Sequence, residues 1–207
     1  MTAPAGGTTS IKTSQLLLVE GLDDFYFFLA LLNHFGDLEE IQVMPYEGKD
    51  NLDNYLKTLQ ALAGFNQVNS LGFLRDADQD KLGAFTDVTL SLKKAGLPSP
   101  NAPGEPFGTN PQVIVDTMPI QGSEGELEDV LLAAVGGDPA MTCVDTYVDC
   151  LEALPSGSPK KLSKTRLHTF LASKETPGLK IGEAAKAHYF PWESESFAPI
   201  IEFLHKI

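Results

Sequence analysis

Cations are scarce in this chain, and the shortage narrows what it can hold. Fifteen Lys and Arg stand against 28 Asp and Glu over 207 residues, a formal net charge of −13. Sequence-blind adhesion to nucleic acid comes from many Lys and Arg neutralising phosphates, so a polyanionic partner would need a local basic patch or a bridging cation. Cysteine is nearly absent: Cys143 and Cys150 lie seven residues apart in a stretch with helical periodicity. At about 1.5 Å of rise per residue they sit roughly 10 Å apart, too far for a disulfide between them. Without a CxxC or Cys/His spacing, the two thiols are expected to be buried as small hydrophobes. The four His form no ligand pattern either. The longest apolar run, FYFFLALL, is far too short to cross a bilayer. The amino-terminal MTAPAGGTTS has no basic segment followed by an apolar one, and there is no G-x-x-x-x-G-K-[ST] phosphate loop. These absences set aside secretion, cysteine-based metal sites and P-loop chemistry. They lead to the expectation of a soluble cytoplasmic protein with no membrane association.

What is present is an alternation of strands and helices. QLLLVEG, IQVMPYEG, VNSLGFL and QVIVDTMP read as buried strands, short apolar runs closed by turn residues. Between them, DDFYFFLALLNHFG, NLDNYLKTLQALAGF and AFTDVTLSLKKAG carry apolar residues at helical spacing, and GELEDVLLAAV follows the fourth strand. In the first helix Phe25, Phe28, Leu29 and Leu32 are expected on one face. Such an order predicts an α/β fold with a mainly parallel sheet of about four strands flanked by helices. GLPSPNAPGEPFGTNP, rich in Gly and Pro, predicts a long loop before the fourth strand. After about residue 140 the strand signal stops, and CVDTYVDCLEAL, SKTRLHTFLAS, IGEAAKAH and FAPIIEFLHKI read as short helices. The expected division is an α/β domain over residues 11–140 and a helical C-terminal extension, residues 141–207, packed on it. Trp192 and its aromatic neighbours are expected in the core.

Ligand sites of open parallel α/β sheets form beyond the carboxyl ends of the strands, and there the acids collect. Glu20 closes the first strand, with Asp24 one turn into the next helix. EGKD after the second offers Glu47, Lys49 and Asp50, and RDADQD after the third offers Asp76, Asp78 and Asp80. Glu126, Glu128 and Asp129 open the helix after the fourth. If the third strand continued, Asp76, Asp78 and Asp80 would point to one side. Helix capping and a favourable N-terminal dipole account for single acids such as Asp24, Asp50 or Asp129, but a cap needs only one acid. DADQDKLGAFTD is not a calcium loop, since Lys81 stands where glycine is needed and Asp87 where glutamate is needed. A cluster of hard oxygen ligands suits Mg²⁺ or Mn²⁺.

LLVEG and LRDADQD resemble the Glu-Gly and Asp-x-Asp(-x-Asp) motifs of the Toprim domain, the metal-binding module of topoisomerases, primases and some nucleases. VEGLDD, EGKDNL, RDAD and GELEDVLL more closely resemble small bacterial and archaeal proteins related to OLD-family nuclease domains. The resemblance implies a Toprim-like, Rossmann-like fold. It also implies metal ligands at Glu20, Asp24, Asp76, Asp78, Asp80 and Glu128, with Asp129 in reserve. Glu20, Asp76 and Asp78 would hold one ion, and Asp24 with Glu128 would help hold a second. A topoisomerase breakage tyrosine has no recognisable match, and the ATPase domain that often precedes an OLD nuclease domain is missing, so strand passage is not expected.

The expected function is Mg²⁺- or Mn²⁺-dependent phosphodiester hydrolysis, with Glu20, Asp76, Asp78, Lys49 and Lys164 carrying the chemistry. DNA or RNA would be met through the metal and a local basic patch. Lys49 stands at a strand end, Arg75 precedes the acidic triplet, and PKKLSKTRLH supplies Lys160, Lys161, Lys164 and Arg166. His168 shares a helix face with Lys164 and is expected to pack or be solvated. The alternative is a Toprim module that holds metal and a nucleic acid or a separate protein partner without cleaving.

Overall fold

The structure is a computed structural model and describes residues 10–38, 40–155, 157 and 159–207. Four strands, β1 (Gln15–Val19), β2 (Ile41–Pro45), β3 (Ser70–Asp76) and β4 (Gln112–Met118), form one sheet in the order β2-β1-β3-β4. Every pairing is parallel, as buried apolar runs joined by helical crossovers require. The register sets Val19 opposite Leu74 and Asp76 opposite Met118, so the carboxyl ends of β1, β3 and β4 form one edge.

Helices cover both faces. α2 (Leu52–Ala61) and α3 (Lys81–Lys94) bury Leu52, Leu56, Leu59, Phe85, Val88 and Leu92 against Leu16, Leu18, Phe73 and Val115. On the other face α1 (Leu22–His34) and α4 (Leu127–Ala134) pack over Leu17, Val19, Leu74 and Ile114. The inward face of α1 is Asp24, Phe27, Phe28, Leu31 and Leu32, rotated from the expected stripe. Phe25 and Leu29 are only partly buried against that core.

The C-terminal residues form α5 (Met141–Glu152), α6 (Leu162–Ala172), α7 (Ile181–Lys186) and α8 (Ala198–Leu204). Their apolar side chains, among them Phe170, Trp192, Phe197 and Phe203, share one continuous core with the α1 face of the sheet. The long loop before β4 has no regular element of its own beyond a bridge between Phe107 and Val113. The cysteines depart from expectation: Cys143 and Cys150 are both exposed. α5 turns Met141, Val144 and Val148 inward, and a seven-residue spacing keeps both thiols together on its solvent side.

α1 and α7 meet backbone to backbone. A Cβ on Gly182 would stand 2.2 Å from the Tyr26 Cβ and 3.1 Å from its Cα, and neither can rotate away. Gly182→Ala should therefore lower the urea midpoint, by about 1–3 kcal/mol of overpacking. That cost exceeds the gain of up to about 1 kcal/mol that Ala brings to a helix. A raised midpoint would mean the helices are not in close contact.

Candidate metal centre

The site begins where β3 runs out. Phe73 joins one core and Leu74 the other, so the strand's alternation sends Asp76 to the face covered by α1 and α4. The chain then leaves the strand, with Asp78 in the left-handed region at φ 50°. Asp78 donates its N–H to the Gly125 carbonyl at 2.8 Å, and Gly125 returns its own N–H to the Asp78 carbonyl at 2.7 Å. Only glycine suits that partner position: φ is +125°, and a Cβ would lie 2.7 Å from the Pro119 ring. Two residues on, the Leu127 N–H at the start of α4 donates to Asp76 Oδ1 at 2.9 Å. Glu126 has extended backbone and Glu128 occupies the first helical turn, so both carboxylates reach back toward Asp76.

Carboxylate oxygens of Asp76, Glu126 and Glu128 thus lie within 4.8 Å of one another. Glu126 is 7% exposed and Glu128 5% exposed, which leaves little water to screen them. Desolvation and the neighbouring Asp24, Glu128 and Glu126 push the Asp76 carboxyl up to about 8, against the lowering effect of the Leu127 N–H. Asp24 is raised to about 6, chiefly by burial and then by Glu128 and Glu20, although the Gly21 N–H at 2.9 Å stabilises its charge. Two ammoniums from the start of α6 offset part of the charge. Lys164 Nζ is 2.9 Å from Glu128, and Lys161 Nζ is 3.1 Å from Glu126 and 3.7 Å from Asp78. The bond to Glu126 raises Lys161 above the usual lysine range. Three hard carboxylates converging without a full complement of cations fit Mg²⁺ or Mn²⁺.

Of the residues expected here from sequence, Asp76 and Glu128 come together, Asp24 lies near enough to feel Glu128 and to act on Asp76, and Lys164 pairs with Glu128. Glu20 does not join the close group. It stands just past the end of β1, its Oε2 lies 3.6 Å from Arg75 Nε, and its charge is felt at Asp24. Asp78 is 53% exposed at its side chain and faces Lys161 rather than Asp76. Asp80 caps α3, accepting the Gly83 N–H at 3.0 Å, so the three aspartates part instead of lining one side. Lys49 is exposed in a single 3₁₀ turn after the edge strand β2, where the neighbouring Gly48 N–H donates to the Glu20 carbonyl at 3.1 Å. Glu126, named with the acids that open the fourth-strand helix, and Lys161, named in the basic stretch, were not among the expected ligands or catalytic residues. The sequence signal for Glu126 is its place just before the helix, where extended backbone lets it share a side with Glu128.

The raised acids set the pH dependence of the metal-free fold. Each is near 3.8 when unfolded, so the stability held by the protonated folded forms is complete below that value and is lost as pH climbs to about 6 for Asp24 and about 8 for Asp76. In EDTA the wild type should melt lower at pH 8 than at pH 6. Asp76→Asn, which keeps an oxygen for Leu127, should flatten that dependence and melt higher than wild type at pH 8. An unchanged slope would mean that Asp76 is not held in repulsion.

Residues 14–207 match the family described as "Protein of unknown function (DUF3226)". No curated protein matches the chain. Among solved structures, it is similar to hypothetical protein PH0156 from Pyrococcus horikoshii OT3, with a TM-score of 0.62, 14% sequence identity and 95% of each chain covered. At that identity the likeness is one of fold. With the match running over nearly its whole length, the chain belongs to the DUF3226 family.

Proposed function

We propose that this chain is a Mg²⁺- or Mn²⁺-dependent phosphodiesterase of Toprim type that acts on DNA or RNA in the cytoplasm. The observation that carries the reading is the buried convergence of Asp76, Glu126 and Glu128 at the carboxyl edge of a parallel sheet. The Toprim resemblance of VEGLDD and RDADQD supports it. Among the described residues no helix is long and apolar enough to cross a membrane, in keeping with a site open to water-borne substrate.

In this reading Asp76, Glu126 and Glu128 bind the ion, with Asp24 behind them, and the Leu127 N–H fixes the Asp76 carboxylate in place. Bound there, a divalent ion supplies activation of water and stabilisation of the leaving oxygen. Lys161 and Lys164 lie between these acids and solvent, where they can exchange a carboxylate for a phosphate oxygen. Glu20, tied to Arg75, borders the site and adds negative potential at Asp24. A second reading, metal-linked binding without cleavage, is favoured by the same two lysines, because their ion pairs already neutralise part of the cluster.

Two measurements separate these readings. Magnesium at about 100 times its Kd should stabilise the fold by ~2.7 kcal/mol, which raises the melting temperature by roughly 5–10 °C in a chain of this size. The shift should vanish in Asp76→Asn/Glu128→Gln. Purified protein incubated with single- and double-stranded DNA and RNA should cleave at least one substrate in Mg²⁺ or Mn²⁺ but none in EDTA, and Glu128→Gln should bring cleavage down to background. A metal-induced shift with no cleavage of any substrate would leave the binding module. Cleavage undiminished in Glu128→Gln would remove the site.

A further inference from the structure

We infer that the groove between α5 and α6 is a track for single-stranded nucleic acid, with Tyr147 stacking on a base and Lys160 and Lys161 meeting the backbone phosphates. The inference rests on the phosphodiesterase reading and deepens it by naming the substrate class and the path to the metal centre.

The groove is a shallow, open concavity of about 720 Å³ lined by Tyr147, Pro159, Lys160, Lys164, Thr165 and His168, among others. Lys161 also lines it, and no carboxylate is among its described lining residues. Lys161 and Lys164 are shared with Glu126 and Glu128, and together with Lys160 they give the groove a basic lining that is complementary to a polyanion. A second hollow of about 540 Å³ shares Lys160 and Lys161 with the groove and is lined by Asp78 and Glu126 on its far side. The two concavities are therefore neighbours across these lysines, and a strand lying in the groove would lead its phosphates past them toward the acids.

The aromatic decides which form of nucleic acid fits. Tyr147 is 47% exposed, though a ring of that size on a helix is ordinarily packed. A base can lie on it only when splayed from its stack, which a single strand permits and a duplex resists. The Thr165 and Thr169 hydroxyls in the lining donate to the Lys161 and Thr165 carbonyls, which leaves their lone pairs to accept from a base. A duplex could still meet the lysines, but the ring would then remain bare.

The test is the anisotropy of fluorescein-labelled DNA and RNA single strands of about 12 nucleotides, and of the matching duplexes, in EDTA and in Mg²⁺. Single strands should bind more tightly than duplexes. Tyr147→Ala should weaken single-strand binding about 5- to 150-fold, and Tyr147→Trp should restore it. Lys160→Ala should reduce the slope of log K against log salt by about 0.7. Equal affinity for duplex, affinity unmoved by Tyr147→Ala, or no binding in either buffer would overturn the inference. The two failures are distinguishable. Cleavage with an affinity indifferent to Tyr147 removes the groove and leaves the phosphodiesterase. Tyr147-dependent binding without cleavage of any substrate keeps the groove and removes the enzyme.

Discussion

The pair of backbone hydrogen bonds exchanged by Asp78 and Gly125 holds the candidate site together. They clamp the exit of β3 to the start of α4, two segments separated by a helix, a long loop and a strand. Without that clamp Asp76 would end a buried strand alone, and Glu126 and Glu128 would open a helix elsewhere on the edge. With it, the Leu127 N–H falls on Asp76 and the acids close to within 4.8 Å. Backbone bonds suit this task because they do not titrate, so the geometry persists whatever the acids' charge.

The clamp forces like charges together, and the rest of the site answers that repulsion. Protons do so at low pH, as the raised Asp76 and Asp24 show. Lys161 and Lys164 do so at any ordinary pH, and a divalent cation would do so most completely. Both lysines come from α6, whose Leu167, Phe170 and Leu171 are anchored in the same core as β1 and β3. The helical C-terminal part thus shares the core and also delivers the cations that make an acidic edge tolerable, and its outer groove carries that positive character away from the edge. The division at residue 140 marks a change of secondary structure within a continuous core.

Much was legible in the sequence, and for a local reason. Apolar runs and helical spacing are properties of consecutive residues, so the four strands, the helices, the parallel arrangement and the long loop before β4 could be read directly. Asp76, Asp24 and Glu128 were legible too, because a parallel sheet sends ligand-bearing residues to its carboxyl edge. What escaped were relations between distant segments and the side a residue takes where regular structure ends. Glu20, just past the end of β1, lies beside Arg75 rather than in the close group of acids, a pairing between strands that neither motif carries by itself. The left-handed turn at Asp78 breaks the period of two, so Asp80 becomes a helix cap and Asp78 faces Lys161. The partnership of Glu126 with Asp76 depends on Gly125 docking against Asp78, and that of Lys164 with Glu128 on where α6 packs. The sequence determined which residues could act, because chemistry and periodicity are written residue by residue. Only the tertiary structure decided which of them meet, because that depends on crossings between segments far apart in the chain.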